Sequence, residues 1–321
     1  MDKNKLIEIF NKIEEFDKII LHTHARPDGD CTGAAFGLKD IIKSSWPEKE
    51  VYVAGQTNDF VSFIGTPDEL TDEQFTDALS IVVDTANSKR VGDMRYKLAK
   101  FVIKMDHHIF VEEFGDIDYV DTSRPAATLI VLDLFMLFEK QLKMTKAGAT
   151  ALFFGTLTDT GRFKYPGVNQ DTFIKIAKLY EFGLDGTSVY AYLDRRSESL
   201  TRFKGYLLQH YKKTPNGVAY IKIKPRMLKK FNVTLGEASS LVNELGHFDD
   251  CPVWLLLAEY EEKIVRARVR SKGPAINELA AKYDGGGHAM ASGANLGTWK
   301  RANEILKDAD LLVKKYKEEL K

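Results

Sequence analysis

Only two cysteines occur in 321 residues, Cys31 and Cys251, far apart and in no C-x-x-C pattern. That excludes a disulfide framework and a cysteine-rich zinc site, and it fits a reducing compartment. Charge of neither sign is in surplus: Lys+Arg and Asp+Glu both number 46. The chain therefore lacks the basic excess with which proteins coat long nucleic acid, although a local basic patch for a short nucleotide is still allowed. Also missing is any run of the roughly 18–20 apolar residues that a membrane span needs. The opening MDKNKLIEIFNKIEEF is amphipathic and has no continuous apolar core of the signal-peptide kind. Internal repeats and low-complexity tracts are absent as well. The expectation is a soluble, cytoplasmic protein with neither a membrane nor long nucleic acid among its partners.

What is present is a globular composition, 44% apolar and 29% charged, in a chain long enough for two domains. The first half alternates β-type runs with helical patterns. FDKIILHTH reads as strand into loop, CTGAAFGLKDIIKSS as helix, and VYVAG, ALSIVVDTAN and FVIKMDHHI as strands. Such alternation predicts parallel strands joined by helical crossovers, with helices on both faces of an α/β sheet. AATLIVLDLFMLFEKQL and KAGATALFFGTLTDTG read as further helices. Residues 169–211 read as mostly helical. The later part changes character: NGVAYIKI is a strand opened by an Asn-Gly turn, TLGEASSLVNELG a helix, and CPVWLLLAEYEEKIVRARVRSKG a hairpin about Glu261-Glu262-Lys263. PAINELAAKYDGGGHAMASGANLG reads as a helix running into a glycine-rich loop, before a closing amphipathic helix. The expected layout is an α/β domain over 1–190, a helical linker over 191–214 and a smaller α+β domain over 215–321.

Ligands of open α/β sheets bind at the carboxyl ends of the strands. His24, Asp28 and Asp30 follow the first strand, Asp84 ends another, and Asp106, His107 and His108 end a third. Asp159 ends an apolar helix. Each cluster alone reads more readily as a turn or cap; their coincidence at one rim does not. Carboxylates with imidazoles suit divalent cations such as Mn²⁺, Mg²⁺ or Zn²⁺. His24, Asp28, Asp30, Asp84, His107 and Asp159 are more ligands than one open catalytic metal needs. Two metals sharing a carboxylate would use them, and such pairs serve phosphoryl chemistry.

These motifs resemble the DHH phosphoesterases. Asp106-His107-His108 matches the triplet that names the family, His24-Ala-Arg-Pro-Asp28-Gly-Asp30 its first motif, Val83-Asp84 its second, and Thr158 to Phe163 its fourth. Val269-Arg270-Ser271 and Gly285 to Gly293 resemble the DHH-associated domain. The size and the Asp159-Thr-Gly-Arg-Phe163 stretch look most like the nanoRNases of that family, which degrade very short RNA and dinucleotides such as pApA or pGpG to 5′-mononucleotides; some also dephosphorylate 3′-phosphoadenosine 5′-phosphate. The resemblance implies two divalent ions, Mn²⁺ above all with Mg²⁺ or Co²⁺ as substitutes, that activate the water attacking phosphorus. It puts His24 and Asp28 on one metal, Asp30, His107 and Asp159 on the other, and Asp84 between them. His108 faces the scissile phosphate and Asp106 orients an imidazole. A site in the cleft between two domains, a homodimer, and nucleotide or short single-stranded RNA substrates are further implications. His22, two residues before His24, is a supporting or purely structural residue.

In the second domain, Gly285-Gly286-Gly287 can present consecutive backbone N–H groups to an anion. Arg266, Arg268 and Arg270 alternate along a strand and so share a face, which for Arg266 and Arg268 can be plain solvated surface. By resemblance Arg270, Ser271, Gly286, Gly287 and His288 bind substrate. The sequence departs from the family where Asp284 replaces a glycine, where Ala34 replaces a serine, and where Ser123-Arg124-Pro125-Ala126 precedes a helix. Asp284 is expected to alter the loop or repel a phosphate, and Arg124 to contact phosphate or lie on the surface. An inorganic pyrophosphatase on the same scaffold would show a lysine-rich phosphate motif here. A nucleotide-binding regulator without turnover would have lost ligands, and the set is complete.

Overall fold

The computed structural model describes residues 2–260 and 263–320. The chain divides between Asp194 and Arg195 into two compact units.

The first unit opens with α1 (Lys3–Glu15), where Leu6, Ile9, Phe10 and Ile13 recur at helical spacing and are buried. Then come β1 (Lys18–His22), α2 (Gly29–Ser45), β2 (Glu50–Ala54), α3 (Asp72–Phe75), β3 (Leu79–Val83), β4 (Phe101–Asp106) and β5 (Ile117–Val120). The strands form one parallel sheet in the order β2-β1-β3-β4-β5. The short β5 carried no readable signal. All five residues of β3 are buried, as a central parallel strand covered on both faces requires. Ile19, Leu21, Ile81, Val83, Ile103 and Met105 face the main core with α1, α2, α4 (Ala127–Leu137) and α5 (Lys146–Asp159). Ile20 and Val82 face the other way, where the short α3 and turns of 3₁₀ helix at 88–90 and 94–98 cover them. The helix read through Leu142 stops at Leu137. α6 (Gln170–Tyr180) and α7 (Gly186–Leu193) complete the unit. The chain leaves β1 toward β2 on one side and comes back for β3 on the other, and such a switch point opens a crevice at the carboxyl ends of the two strands.

The second unit begins at α8 (Glu198–His210). This helix falls within the stretch expected as a linker, and its Leu200, Phe203 and Leu207 are buried in the second unit's core. A six-stranded mixed sheet follows, built from β6 (Lys212–Lys213), β7 (Val218–Ile223), β8 (Val253–Glu259), β9 (Val265–Ser271), β10 (Gly286–His288) and β11 (Ala291–Gly297), in the order β10-β11-β9-β8-β7-β6. Between strands lie α9 (Pro225–Phe231), α10 (Leu235–Ser240) and α11 (Asn277–Ala281), and α12 (Trp299–Glu319) closes the chain. β7 and β8 are parallel and the other pairings antiparallel. The expected hairpin is β8-β9, but its turn at Glu261-Glu262 lies outside the described residues. The helix read over 234–246 is α10 followed by a 3₁₀ stretch, Leu241–His247. The glycine-rich run is not a loop: it forms the β10-β11 hairpin. Glycine and alanine give little strand signal of their own, and only pairing with β9 reveals β11. α9, with proline in its first turn, was also missed, though that proline is the usual mark of a helix start.

Candidate metal centre

Beyond β1 the chain bends sharply. Arg26 takes a left-handed conformation (φ 59°), and Asp28 then caps α2, its Oδ1 accepting from the N–H of Cys31 at 3.1 Å. The second carboxylate oxygen stays free to face His24, 3.5 Å from Nε2. The other ring nitrogen, Nδ1, lies 3.1 Å from the Ala25 carbonyl. That bond fixes the proton on Nδ1 and leaves the Nε2 lone pair for a ligand.

Asp84 sits just past β3 with φ 53°, a strained conformation for a residue with a side chain. It is buried, and its two oxygens look opposite ways. Oδ2 lies 3.6 Å from His24 Nε2. Oδ1 lies 3.2 Å from His107 Nε2 and 3.4 Å from His108 Nδ1, yet it makes no hydrogen bond of acceptable geometry. His107 Nε2 is also 3.3 Å from Asp159 Oδ2, at the end of α5, and 3.7 Å from Asp30 Oδ2. Donor atoms of His24, Asp28, Cys31 and Asp84 all fall within 4.8 Å of one another; so do those of Asp84, His107 and His108, and of Asp30, His107 and Asp159.

Asp30 is held by the start of α4. It accepts from the N–H of Ala127 (2.5 Å) and Thr128 (3.1 Å) and from the Thr128 hydroxyl (2.8 Å). A carboxylate at a helix N-terminus is stabilised by the peptide dipoles. Even so, burial, with Asp84 and Asp159 adding repulsion, raises its pKa well above the ordinary range. Burial likewise pushes Asp159 up to about 6, with Asp84 and Asp28 adding to the effect and His107 opposing it. For His107 burial works against the charged form, but Asp84, Asp30 and Asp159 outweigh it and push the ring up to about 10. Crowded carboxylates thus draw protons onto themselves and their imidazoles. A buried carboxylate oxygen left without a hydrogen bond, ringed by nitrogen and oxygen donors, is the environment divalent cations fit.

Asp106 lies beside this group. Its Oδ1 accepts from His108 Nδ1 at 2.8 Å, which raises the His108 pKa and orients the ring. Burial opposes ionisation of Asp106, but the His108 hydrogen bond outweighs it and holds the carboxyl low.

In the second unit the helices that pack on β7 and β8 leave β9 and β11 open on the same face. A cavity of about 440 Å³ lies there. Arg266, Arg268 and Arg270 line it, together with Tyr260, Asn295 and Gly286. Gly286 and Gly293 pair across β10 and β11, and Gly293 sits opposite Arg268. No atom lies within 4 Å of where a side chain on Gly286 would begin, so the cavity is open above that glycine. Gly287 has φ 135°, and a Cβ there would come 2.6 Å from the Ala291 carbonyl, so only glycine closes this hairpin.

Residues 18–156 match the model of the DHH family N-terminal domain, and residues 216–315 match that of the DHHA1 domain. The chain belongs to the DHH family. It is 37% identical over 95% of its length to a Streptococcus mutans protein named "Probable bifunctional oligoribonuclease and PAP phosphatase NrnA", covering 98% of that protein. It is 35% identical to the Bacillus subtilis bifunctional oligoribonuclease and PAP phosphatase NrnA, over 96% of this chain and 99% of the relative. Among solved structures, an exopolyphosphatase-related protein from Bacteroides fragilis superposes with a TM-score of 0.86 at 27% identity, over 97% of this chain and 98% of that one.

In this DHH-family chain the six ligand-type residues read from the sequence do converge, and Cys31 joins them unforeseen. In the sequence it is only the first residue of the helical run CTGAAFGLKDIIKSS. Its spacing of three from Asp28, on the first turn of a helix, was the signal that places both on one side. Of the two roles left open for His22 the structure decides for the structural one, and three other readings are corrected. His22 is fully buried on the far face of the sheet, between Phe75 and Tyr96, with Nε2 2.9 Å from the Ser80 hydroxyl. Burial holds its pKa down to about 3, and the ring supports the sheet rather than the ligands. Arg124 is neither the phosphate contact nor the plain surface residue expected: its largely buried guanidinium is bound to Asp133 and Asp171. Ser271 cannot share the substrate face with Arg270, because adjacent strand residues point oppositely. It is buried, donating to the Pro274 carbonyl at 2.6 Å and accepting from the Gly273 N–H at 3.0 Å. Asp284 adds no bare negative charge to the hairpin, since Arg301 pairs with it at 2.7 Å. Of the remaining expected substrate residues, Arg270 and Gly286 line the cavity, and His288 is exposed on β10 opposite Ala291, the residue that also pairs with Arg270. Among the described residues no helix is long and apolar enough to cross a membrane.

Proposed function

We propose that this chain is a phosphoesterase dependent on two divalent cations, Mn²⁺ above all. It hydrolyses very short RNA and linear dinucleotides to 5′-mononucleotides and removes the 3′-phosphate of 3′-phosphoadenosine 5′-phosphate. The observation that carries this reading is Asp84, whose two buried oxygens face separate imidazole–carboxylate groups. His24, Asp28 and Asp84 would hold one cation, and Asp30, His107, Asp159 and Asp84 the other. When bound, such a pair supplies Lewis-acid polarisation of phosphoryl oxygens and a nucleophilic water at neutral pH.

The chain's own groups do the rest. Asp106 fixes the His108 ring through Nδ1, which leaves Nε2 to donate to a phosphate oxygen where charge develops. The ring is 40% exposed, so a substrate can reach it. In the second unit, Arg270 and the open backbone of Gly286, Gly287 and His288 hold a phosphate or terminal nucleotide. Relatives that bear both activity names, and are matched along nearly their whole length, support this substrate class.

The test is a panel assay in Mn²⁺ with end-labelled oligoribonucleotides of two to ten residues, pApA, pGpG, 3′-phosphoadenosine 5′-phosphate and pyrophosphate. Wild-type protein should release 5′-mononucleotides from the shortest chains and lose turnover in chelator. Asp84→Ala should lose metal-dependent hydrolysis while keeping its circular dichroism spectrum. Wild-type turnover by a folded Asp84→Ala protein would refute the reading.

A further inference from the structure

Arg124 interrupts the family pattern, and the structure gives it work outside the ligand set. The side chain reaches Asp133 on α4 through two contacts, Nε to Oδ2 at 2.7 Å and Nη2 to Oδ1 at 3.0 Å. A third contact, through Nη1, goes to Asp171 in the first turn of α6. Lys175, buried, closes the ring 3.1 Å from Asp133 and 2.5 Å from Asp171. Two cations and two carboxylates therefore alternate, and the guanidinium is fixed in position and direction.

The backbone of the same residue is tied down as well. The N–H of Arg124 donates to the Asp121 carbonyl at 3.1 Å. Its own carbonyl lies 3.1 Å from His107 Nδ1. That bond sets the His107 proton on Nδ1 and aims Nε2 at Asp84, Asp159 and Asp30. Three residues further on, Ala127 and Thr128 present the N–H groups that hold the Asp30 carboxylate. Pro125, with its fixed φ, leaves little slack between the two anchor points.

We propose that Arg124 is a positioning residue: clamped between Asp133 and Asp171, it holds its carbonyl against His107 and the α4 N-terminus against Asp30, and so builds one of the two cation positions. This rests on the two-metal reading, and it predicts asymmetry. The position of Asp30, His107 and Asp159 depends on Arg124, whereas that of His24 and Asp28 does not.

The experiment is calorimetric titration of chelator-stripped full-length protein with Mn²⁺, alongside thermal melts and steady-state kinetics. Arg124→Met removes the clamp. Since an unpaired buried carboxylate can block folding, Arg124→Met/Asp171→Asn removes one charge of each sign and leaves Lys175 paired with Asp133. Wild type should bind two ions. In the folded variants one ion should weaken about 10–100-fold, as loss of groups that orient ligands does, and the other should change by less than about twofold. Then kcat should fall at limiting Mn²⁺ and recover at high Mn²⁺ with KM nearly unchanged, and Arg124→Lys should recover part of the lost affinity. Unchanged affinity for both ions with only a lower Tm would overturn the proposal, as would equal weakening of both. Fewer than two ions on wild type would overturn the two-metal reading itself.

Discussion

Replacing Gly155 by alanine puts a methyl group where the fold has no room. Gly155 lies inside α5, facing α2 and α4. A Cβ there would sit 2.5 Å from the Thr128 methyl, 2.9 Å from the Gly29 carbonyl oxygen and 3.1 Å from Asp30 Cα. Carbon contacts are comfortable at about 3.5–4.0 Å, so the Thr128 methyl on α4 must give way by about an ångström and the α2 backbone by roughly half an ångström. Two of the three neighbours are backbone and cannot simply rotate aside. Gly33, on α2, makes the same close approach from the other side, since a Cβ there would meet the Ala151 carbonyl at 2.4 Å. Overpacking of this kind costs about 1–3 kcal/mol, against roughly 0.5–1 kcal/mol gained from alanine in a helix. The net loss is centred on about 1 kcal/mol and reaches at most about 2.5 kcal/mol, or a Tm lower by about 2–4 °C at the centre for a unit of this size. The push also falls on Asp30, away from the helix that carries Asp159, and sites tolerate only about 0.5 Å of such displacement. The Tm gain on adding Mn²⁺, which reports affinity for the folded state, should therefore shrink. Gly205 in α8 is the control. It is exposed, with nothing within 4 Å of a new Cβ, and Gly205→Ala should stabilise by about 0.5–1 kcal/mol. Thermal melts with and without Mn²⁺ decide the matter. A Gly155→Ala protein with wild-type Tm and an undiminished Mn²⁺ shift would refute the argument.

Two further outcomes separate roles in the second unit. Arg270→Ala should raise KM for dinucleotides at least tenfold, the loss of a charge-assisted hydrogen bond of about 1.5–3 kcal/mol, while Ser271→Ala should cost about 1 kcal/mol of stability and leave KM within about twofold; equal effects on KM would show that Ser271 does reach the substrate. Glu244 is partly buried, which opposes its ionisation, but Lys204 at 2.8 Å and Arg196 at 2.9 Å outweigh that and hold its pKa below the usual range. A depressed carboxylate stabilises above its unfolded value of about 4.3 and loses that contribution as pH falls through the folded value. Urea denaturation should find Glu244→Gln less stable by about 1–2 kcal/mol at pH 7 and the gap closing below about pH 4; a gap independent of pH would exclude the ion pairs as its cause.

Much of the candidate site could be read from the chain because its signal is local. A strand ends where alternation of apolar residues ends, and a carboxylate or imidazole at that point stands at the rim of a parallel sheet. Asp84 and His107 were legible in this way, as was the shared face of Arg266, Arg268 and Arg270. The β10-β11 hairpin was not, because glycines carry no side-chain period and become a strand only by pairing with β9. Ser271 shows a signal present but overridden: the alternation that groups the arginines also turns Ser271 away from them.

The sequence by itself determined which groups can bind cations and on which kind of element each sits, since donor chemistry and hydrophobic period belong to the residues. Only the tertiary structure decided what each group touches. His22 and His24 stand two apart with the same side chain, yet one is buried against Ser80 and the other faces Asp28 and Asp84, because the strand ends between them. Arg124 acquires its place from Asp133 and Asp171, and Asp30 from the backbone of Ala127 and Thr128, residues distant in the chain. Such partnerships depend on how helices pack at specific distances, a property of the folded whole that no local pattern encodes.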